Sequence, residues 1–232
     1  MECDPKKEAA KGAVELVKDL INNFNMIGLG TGNTIKSFID EARSLLFNKK
    51  IISSSNSTTI YVSSQGFDVI EMPLNALDYL YIDGADEFTK EGDMIKGGGG
   101  ALLGEKILAF SGKINIFVVG EDKLVNKLGE KRPVPIEIVP KSYPYVLKVI
   151  NSYRFKSELR QSSGKIGPVI SDWGGFLLDI STGPIENPYK LNNILKSIPG
   201  VIETGIFLGY ADYIVVGKKD CGYYVIKSKR KT

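Results

Sequence analysis

The stretch MIGLGTGNT at positions 26–34 decides the fold of this chain. Its first four residues are apolar, which is typical of a short buried strand, and a helical pattern resumes from Ile35 to Leu46. Between them, glycines allow the backbone to turn tightly, and N–H groups at a helix start attract an anion. The stretch therefore predicts a strand, a phosphate-binding loop and a helix, although a plain strand–helix turn would have the same appearance.

This loop also half-resembles a dinucleotide-binding fingerprint. Counted from Gly28 and Gly30, the third glycine of G-x-G-x-x-G would fall at position 33, where this chain has asparagine. A redox function is therefore disfavoured. The predicted phosphate-binding residues are Thr31, Gly32, Asn33 and Thr34.

Strands and helices alternate on both sides of this stretch. A helical pattern over 5–23 precedes it, apolar runs at 68–70, 79–82 and 114–119 follow it, and a further helix is expected up to about Phe110. This alternation predicts an α/β fold with a doubly wound parallel sheet. Ligands of such sheets bind at the carboxyl ends of the strands, where most of the polar clusters of this chain fall.

The pattern changes near Lys131. We expect a strand framed by prolines at 132–140, a helix at 143–151, a hairpin at 169–180 and a second helix at 188–197. Two last strands are expected at 213–216 and 223–226. We therefore predict a small α+β domain at 131–205, inserted into a larger domain made of 1–130 and 206–232.

The composition excludes several classes of function. The net charge of +3 is too small to indicate a nucleic-acid-binding face, and neither a signal-peptide core nor a membrane-spanning apolar run occurs. The cysteines, Cys3 and Cys221, have no paired spacing, which predicts no disulfide, no zinc site and a reducing cytoplasm. We expect a soluble, cytoplasmic protein without nucleic-acid or membrane partners, whose basic segment 227–231 is a solvated terminus.

Histidine is absent from the chain. This removes the commonest general base, the commonest metal ligand and any Ser-His or Cys-His nucleophile. Acid–base chemistry near neutral pH then falls to Asp, Glu, Lys, Tyr or Cys, and a carboxylate with a raised pKa is the usual choice.

An acidic loop, DGADE at 83–87, directly follows the strand at 79–82. Carboxylates this close raise each other's pKa and can hold sugar hydroxyls, so Asp83, Gly84, Ala85 and Asp86 are candidate substrate contacts. Two alternatives remain open at this point. Asp-Gly is a common turn, and the carboxylates could bind magnesium or calcium.

A glycine run follows Lys96, at 97–100. Consecutive glycines cost much backbone entropy in a folded domain, so we expect Gly97, Gly98 and Gly99 to pack closely against a ligand, although a flexible linker has the same composition. Lys96 can neutralise developing negative charge, and Glu105 lies about one turn into the next helix. Lys123 is a candidate cation for binding phosphate; taken alone, it is expected to be a solvated surface lysine.

Taken together, these segments resemble the ribose-5-phosphate isomerase A family. The resemblance spans nearly the whole chain in order, and its most specific part is DGADE followed by KGGG and a glutamate; the matching segments are 30–34, 53–55, 83–87, 94–99, 105–106, Lys123, 128–129, 133–137 and 198–201. Three residues depart from the pattern of the family: Asn33, Gly100 and Gly104 replace serine, alanine and arginine.

The resemblance implies the interconversion of D-ribose 5-phosphate and D-ribulose 5-phosphate, in the non-oxidative branch of the pentose phosphate pathway, without cofactor or metal. It implies that Glu105 is the proton acceptor and that the other residues named above contact the substrate, with Lys96, Asp83 and Asp86 assisting catalysis. It further implies a Rossmann-like domain, a smaller ferredoxin-like α+β domain, and a homodimer or homotetramer.

Three rival functions remain open on the sequence. A sugar-phosphate-sensing module would need a DNA-binding segment, and no basic helix-turn-helix pattern occurs. An NAD-dependent oxidoreductase is disfavoured by Asn33. An acyl- or CoA-transferase or a sugar-phosphate deaminase on a similar fold is the nearest enzymatic alternative.

Overall fold

The chain forms seven α-helices, three short 3₁₀ helices and fourteen strands within the part described by the computed structural model, which is residues 2–72, 78–164 and 166–228. The helices are α1 (Pro5–Leu20), α2 (Asn33–Glu41), α3 (Arg43–Leu46), α4 (Asn56–Ser64), α5 (Leu102–Ser111), α6 (Tyr143–Ser152) and α7 (Pro188–Lys196). The strands are β1 (Met26–Leu29), β2 (Lys50–Ser53), β3 (Asp68–Ile70), β4 (Tyr79–Asp83), β5 (Glu87–Phe88), β6 (Met94–Ile95), β7 (Ile114–Gly120), β8 (Val134–Ile138), β9 (Lys156–Leu159), β10 (Phe176–Ser181), β11 (Val201–Thr204), β12 (Ile206–Phe207), β13 (Tyr213–Gly217) and β14 (Tyr223–Lys227).

Helix α1 begins where the sequence predicts it. The Asp4 side chain accepts a hydrogen bond from the Lys6 N–H at 2.9 Å, and proline occupies the first turn. Ala9, Ala13 and Val17 recur on one face and are fully buried against the large sheet. The predicted helix at 5–23 is confirmed, with its last three residues in a 3₁₀ turn.

A seven-stranded sheet, in the order β14-β13-β7-β4-β1-β2-β3, carries the site. All its pairings are parallel except that of β13 with β14. Leu29 of β1 pairs with Ile82 of β4, so the loops that follow these two strands leave the sheet side by side. The predicted α/β fold with a Rossmann-like parallel sheet is confirmed.

A smaller, antiparallel sheet lies between β7 and β13 in sequence, in the order β11-β8-β10-β9. Its core joins strand residues such as Ile136 and Leu178 to Val146 of α6 and Leu195 of α7. This is the predicted α+β unit. The boundaries at 131 and 205 stay a prediction. A third sheet of three strands has the order β12-β6-β5 and pairs the strand that follows β11 with strands that follow β4.

Two segments have a local structure that their sequence pattern does not indicate. The polar run after Ser53 contains helix α4, whose N-cap is Ser55 and whose buried positions are Thr58 and Val62. Its apolar face is too narrow to produce a helical period in the sequence. The expected hairpin at 169–180 forms in part: the Ser171 N–H donates to the Gly175 carbonyl at 2.9 Å, but the arm 169–171 pairs with β10 only through the bridge between Ile170 and Phe176.

The cysteine prediction was wrong, because Cys3 and Cys221 form a disulfide across 218 residues of sequence. The tertiary fold places the start of α1 beside the turn between β13 and β14, where the Cys3 N–H donates to the Lys219 carbonyl at 3.0 Å. No spacing rule reveals a pair this distant. The count of cysteines therefore no longer supports a reducing compartment.

The described helices include none with the length and apolarity to cross a bilayer. Most of the basic segment 227–231 lies outside the described residues.

Candidate active site

A cleft with a volume of about 160 Å³ opens at the carboxyl ends of β1 and β4. Its lining comes from the loops after β1, β4 and β6, the first turns of α1 and α5, and the segment after β7: Lys6, Thr31, Gly32, Asn33, Thr34, Gly84, Ala85, Asp86, Lys96, Gly97, Gly98, Gly99, Glu105 and Lys123. Of the substrate and catalytic residues predicted from the sequence, all but Asp83 line this cleft.

The loop after β1 presents the start of α2 to the cleft. Gly32 is the N-cap residue of α2, with φ of 114°, and no side chain caps this helix. Gly30 lies so close to Asp83 that a side chain at position 30 would overlap the carboxylate. The glycines therefore serve two needs: Gly30 permits close packing with the acidic loop, and Gly32 permits a left-handed turn.

A network of Ser and Thr hydroxyl groups holds the loop after β1 in place. The Thr31 Oγ1 lies 2.7 Å from the Ser55 Oγ and 3.0 Å from the Ser54 Oγ, and the Thr58 hydroxyl donates to the Gly30 carbonyl at 2.8 Å. The Thr31 hydroxyl thus holds the loop in place, whereas the sequence suggested a donor to phosphate. Thr58 was not predicted from the sequence, and Ser54 and Ser55 were identified only through the family resemblance.

Asp83 lies directly behind the cleft and is fully buried. Its Oδ1 accepts from the backbone N–H groups of Thr31 at 3.2 Å and Gly84 at 2.7 Å, and its Oδ2 accepts from the Tyr81 hydroxyl. The same Oδ2 lies 2.7 Å from the Lys96 Nζ. Asp83 thereby joins three loops, and Tyr81 is a supporting residue that the sequence did not indicate.

Lys96 and Glu105 form an ion pair on the wall of the cleft. The Lys96 Nζ lies 3.3 Å from the Glu105 Oε2 and donates to the Gly84 carbonyl at 2.6 Å. Both side chains are almost fully buried, at 2% and 3% exposure. Glu105 is the fourth residue of α5, which confirms its predicted place in the first turn of that helix.

The surroundings shift the pKa values of this pair in a way that suits acid–base chemistry. Burial raises the pKa of Glu105 to about 8; the charge of Lys96 opposes this rise, and repulsion by Asp83 and Asp86 adds to it. For Lys96, burial opposes the charge, but attraction by Asp83 and Glu105 prevails and raises the pKa of the ammonium. Lys96 therefore stays protonated, whereas Glu105 can exchange a proton near neutral pH.

The glycine run is held from both sides. In the cleft, the Asp86 Oδ2 accepts from the Gly98 N–H at 2.7 Å. From the small sheet, the Arg160 Nη1 donates to the carbonyls of Gly97 and Gly98, each at 3.1 Å, while its other nitrogens bind Asp179. Arg160 is a supporting residue that the sequence did not single out, because nothing local connects it to a loop sixty residues away.

Gly104 is one of the residues at which the sequence departs from the pattern that the resemblance implies, and the structure shows which side chains fit at this position. A Cβ at Gly104 would overlap the Ser54 carbonyl and lie 3.1 Å from the Trp173 Nε1. The close approach of α5 to this loop therefore requires glycine here.

Two lysines bring positive charge to the rim. The Lys123 side chain is 20% exposed and lies 3.8 Å from Asp122, and Lys6 reaches the cleft from the first turn of α1. Lys6 was not predicted, because a lysine in an amphipathic helix carries no signal of its own. Across residues 2–72, 78–164 and 166–228, no three His, Cys, Asp or Glu side chains are placed to hold a metal ion.

The fold and the cleft define the class of protein: an α/β protein with a mostly parallel sheet, whose cleft contains the buried pair of Glu105 and Lys96 and the uncapped start of α2. Comparison with known proteins identifies the family. Residues 50–221 match the model of the ribose 5-phosphate isomerase A (phosphoriboisomerase A) family. The ribose-5-phosphate isomerase A of Aeropyrum pernix is 46% identical over 226 residues, which are 97% of this chain and 95% of that protein.

Solved structures agree with this assignment. The ribose 5-phosphate isomerase A of Methanocaldococcus jannaschii matches with a TM-score of 0.86 at 33% identity, over 96% of this chain and 98% of that one. A D-ribose-5-phosphate isomerase in complex with phospho-erythronic acid matches with a TM-score of 0.87 at 32% identity, over 97% of this chain and 100% of that one. The chain belongs to the ribose 5-phosphate isomerase A family and is an isomerase, which sets aside the sensing, oxidoreductase, transferase and deaminase alternatives.

Proposed function

We propose that this enzyme interconverts D-ribose 5-phosphate and D-ribulose 5-phosphate through an enediolate, with Glu105 as the base. The observation that carries the proposal is the buried ion pair of Glu105 and Lys96, 3.3 Å apart, in the same cleft as the uncapped start of α2. A carbon acid next to a carbonyl needs a positioned base and a cation for the developing oxyanion, and these two side chains supply both.

The proton transfers follow from this pair. The Glu105 carboxylate takes the proton from C2 of the open-chain aldose, and the electron pair moves through C1 onto O1 to form the enediolate. Glu105 then returns the proton to C1 as C2 becomes the carbonyl, and the hydroxyl proton passes from O2 to O1. The Lys96 ammonium stabilises the negative oxygen, an effect worth roughly 3–4 kcal/mol for one well-placed donor.

The phosphate group binds at the other end of the cleft in this proposal. The N–H groups at the start of α2, at Asn33 and Thr34, have no competing side-chain cap, and the helix dipole favours an anion there. Lys123 and Lys6 add positive charge at the rim. The phospho-erythronic acid named in a related structure combines a carboxylate with a phosphate, as the enediolate combines anionic oxygens with a phosphate.

The two aspartates take different parts. Asp86 lines the cleft, so we assign to it the sugar hydroxyls and assistance in ring opening. Asp83 is fully buried and has both oxygens engaged, so it acts by fixing Lys96 and the loop after β1. Gly84 and Ala85, with Gly97 to Gly99, supply the backbone surface between them.

We further propose that the reaction needs neither a metal ion nor a redox cofactor, since Lys96 supplies the positive charge at the reacting oxygens. The test is conversion of ribose 5-phosphate to ribulose 5-phosphate by the purified enzyme in the presence of EDTA. We expect the rate to equal that of the untreated enzyme. Loss of activity in EDTA and its return on adding a divalent ion would contradict the metal-free mechanism. An enzyme that converts no ribose 5-phosphate with or without EDTA would contradict the proposed substrate.

The assembly and the compartment complete the proposal. As the family resemblance implies, we propose a homodimer or homotetramer, which light scattering on the eluting protein distinguishes from a monomer. We retain the cytoplasm as the compartment, on the basis of a metabolic substrate. The disulfide does not decide against it, because intracellular proteins of some hyperthermophiles contain such bonds.

A further inference from the structure

Lys106 follows Glu105 on α5, points away from the cleft and is 7% exposed. A buried lysine needs partners, and this one has four oxygens within hydrogen-bond distance. Its Nζ donates to the Thr204 carbonyl at 2.6 Å, to the Ile206 carbonyl at 2.9 Å and to the Glu203 Oε1 at 2.9 Å, with the Thr204 hydroxyl at 3.3 Å. Lys106 thus connects α5 to the segment 203–207.

The same segment holds Lys96. The Gly205 carbonyl accepts from the Lys96 N–H at 2.9 Å, and β12 pairs with β6, which leads directly into Lys96. A side chain at Gly205 would overlap the Lys96 carbonyl, so the two backbones are in close contact. Both ammonium groups contact the Phe207 ring, whose centroid is 5.4 Å from the Lys96 Nζ and 4.7 Å from the Lys106 Nζ.

These contacts link Glu105 to Lys96 by a second route, in addition to their direct ion pair. Glu105 is bonded to Lys106, Lys106 is hydrogen-bonded to the segment 203–207, and that segment is hydrogen-bonded to Lys96. A change in the distance between the first turn of α5 and the segment therefore changes the 3.3 Å separation of Lys96 and Glu105. Nothing in the proposed chemistry requires Lys106 to touch the substrate.

We propose that Lys106 is a positioning residue for catalysis, which sets the geometry of the Lys96–Glu105 pair by fixing α5 to the segment 203–207. The charge of Lys106 is costly in this place: burial lowers its pKa to about 8, against the attraction of Glu203. A buried lysine that binds two carbonyls and a carboxylate is better suited to fixing the distance between two elements than to forming a surface ion pair. The inference rests on the proposed roles of Glu105 and Lys96.

The test compares Lys106→Met with a matched control, Lys196→Met. Lys196 also binds Glu203, at 2.9 Å, and the Ile202 carbonyl, at 2.7 Å, but it makes no hydrogen bond to residues 204–207 in the described structure. We expect Lys106→Met to lower kcat at least about tenfold, because small misplacements of catalytic groups are costly, with KM within about threefold since the phosphate loop is untouched. Lys196→Met should retain kcat within about twofold.

A pH profile separates positioning from a general loss of structure. Lys96 holds down the pKa of Glu105, whereas Asp83 and Asp86 raise it, so a looser pair moves the acid limb of kcat to higher pH by about half a unit or more. Unchanged kcat in Lys106→Met, or a fall in kcat with an unmoved acid limb, would overturn the proposal.

A second variant covers the case in which Lys106→Met does not fold. Lys106→Arg keeps the charge but lengthens the spacer, so kcat should fall at least about threefold with the same shift of the acid limb, and wild-type kcat would again overturn the proposal. A wild-type enzyme without isomerase activity would instead refute the proposed function and this inference with it. An active wild type whose Lys106 variants match it refutes this inference alone.

Discussion

Glu105 and Lys96 lie 3.3 Å apart in a place that water barely reaches, at 3% and 2% exposure. In such surroundings the ionised carboxylate is costly, which is why burial raises its pKa to about 8. A base with this pKa is strong enough to accept a carbon-bound proton and still returns it readily.

Replacing Glu105 by glutamine keeps the shape of the side chain and removes the base. We expect turnover to fall at least about a hundredfold, since positioned proton transfer is typically worth 10²–10⁴-fold, while the affinity for the substrate stays similar. Steady-state kinetics and equilibrium binding of ribose 5-phosphate measure the two quantities. Near-wild-type turnover in Glu105→Gln would remove Glu105 from the mechanism.

The raised pKa of Glu105 also predicts the pH dependence of the reaction. Only the ionised form accepts a proton, so kcat/KM should rise about tenfold per pH unit below the pKa of about 8 and level off above it. Measurements from about pH 6.5 upward avoid the second ionisation of a phosphate monoester, near 6. A profile that is level across this range would mean that Glu105 is already ionised in the free enzyme.

At the scale of elements, the glycine run shows how one loop meets two neighbours. Gly98 donates its N–H to Asp86 at 2.7 Å, and a Cβ at this position would lie 2.8 Å from the Asp86 Oδ1. Contacts that short force either the loop or the carboxylate to move. The run is therefore a constrained surface of the cleft, and the reading as a flexible linker is wrong.

The variant Gly98→Ala should accordingly reduce kcat/KM about 10–100-fold, because Asp86 and the loop lose their mutual position. Gly164→Ala is the matched control, since the nearest heavy atom to a Cβ there is the Ser162 Oγ at 3.8 Å. Circular dichroism confirms that both variants fold. Equal kinetics of the two variants would show that the close contact of Gly98 with Asp86 has no catalytic importance.

At the scale of the whole molecule, one covalent bond joins two segments that are far apart in the sequence. The disulfide between Cys3 and Cys221 closes a loop of 218 residues and ties the start of α1 to the hairpin of β13 and β14. Closing a long loop restricts the unfolded chain, so the bond stabilises the fold even though it lies outside the cleft.

Removal of this bond should lower the free energy of unfolding by about 2–4 kcal/mol, and hence Tm by roughly 4–16 °C. Thermal melts of wild type with and without a reducing agent, beside the double variant Cys3→Ser/Cys221→Ser, measure the effect. The reduced wild type should match the double variant, which itself should not respond to the reductant. Identical melting of oxidised and reduced wild type would show that the bond adds no stability.

Local patterns in the sequence were sufficient for most of the fold and for the members of the site. Apolar runs followed by glycine or acidic loops predicted β1, β4 and β7, because a buried parallel strand must be apolar throughout and its ligand-facing end need not be. The loops at 30–34, 83–86 and 96–99 could be assigned to one site for the same reason. Helix α4 could not be predicted from the sequence, since it has only two buried positions, Thr58 and Val62.

The sequence by itself determined which residue types face the cleft, and the absence of histidine left acid–base chemistry to other side chains, of which a carboxylate is the usual choice. Only the tertiary structure decided how these residues are arranged: Asp83 lies behind the cleft, and the Thr31 hydroxyl contacts Ser54 and Ser55. Lys106 binds the segment 203–207, and Arg160 binds the glycine run. The disulfide between Cys3 and Cys221 is likewise a contact that only the tertiary structure decided. These contacts join residues separated by 23 to 218 positions, and no periodicity or short motif encodes a distance of that kind, because it arises only when the strands take their order in the sheet.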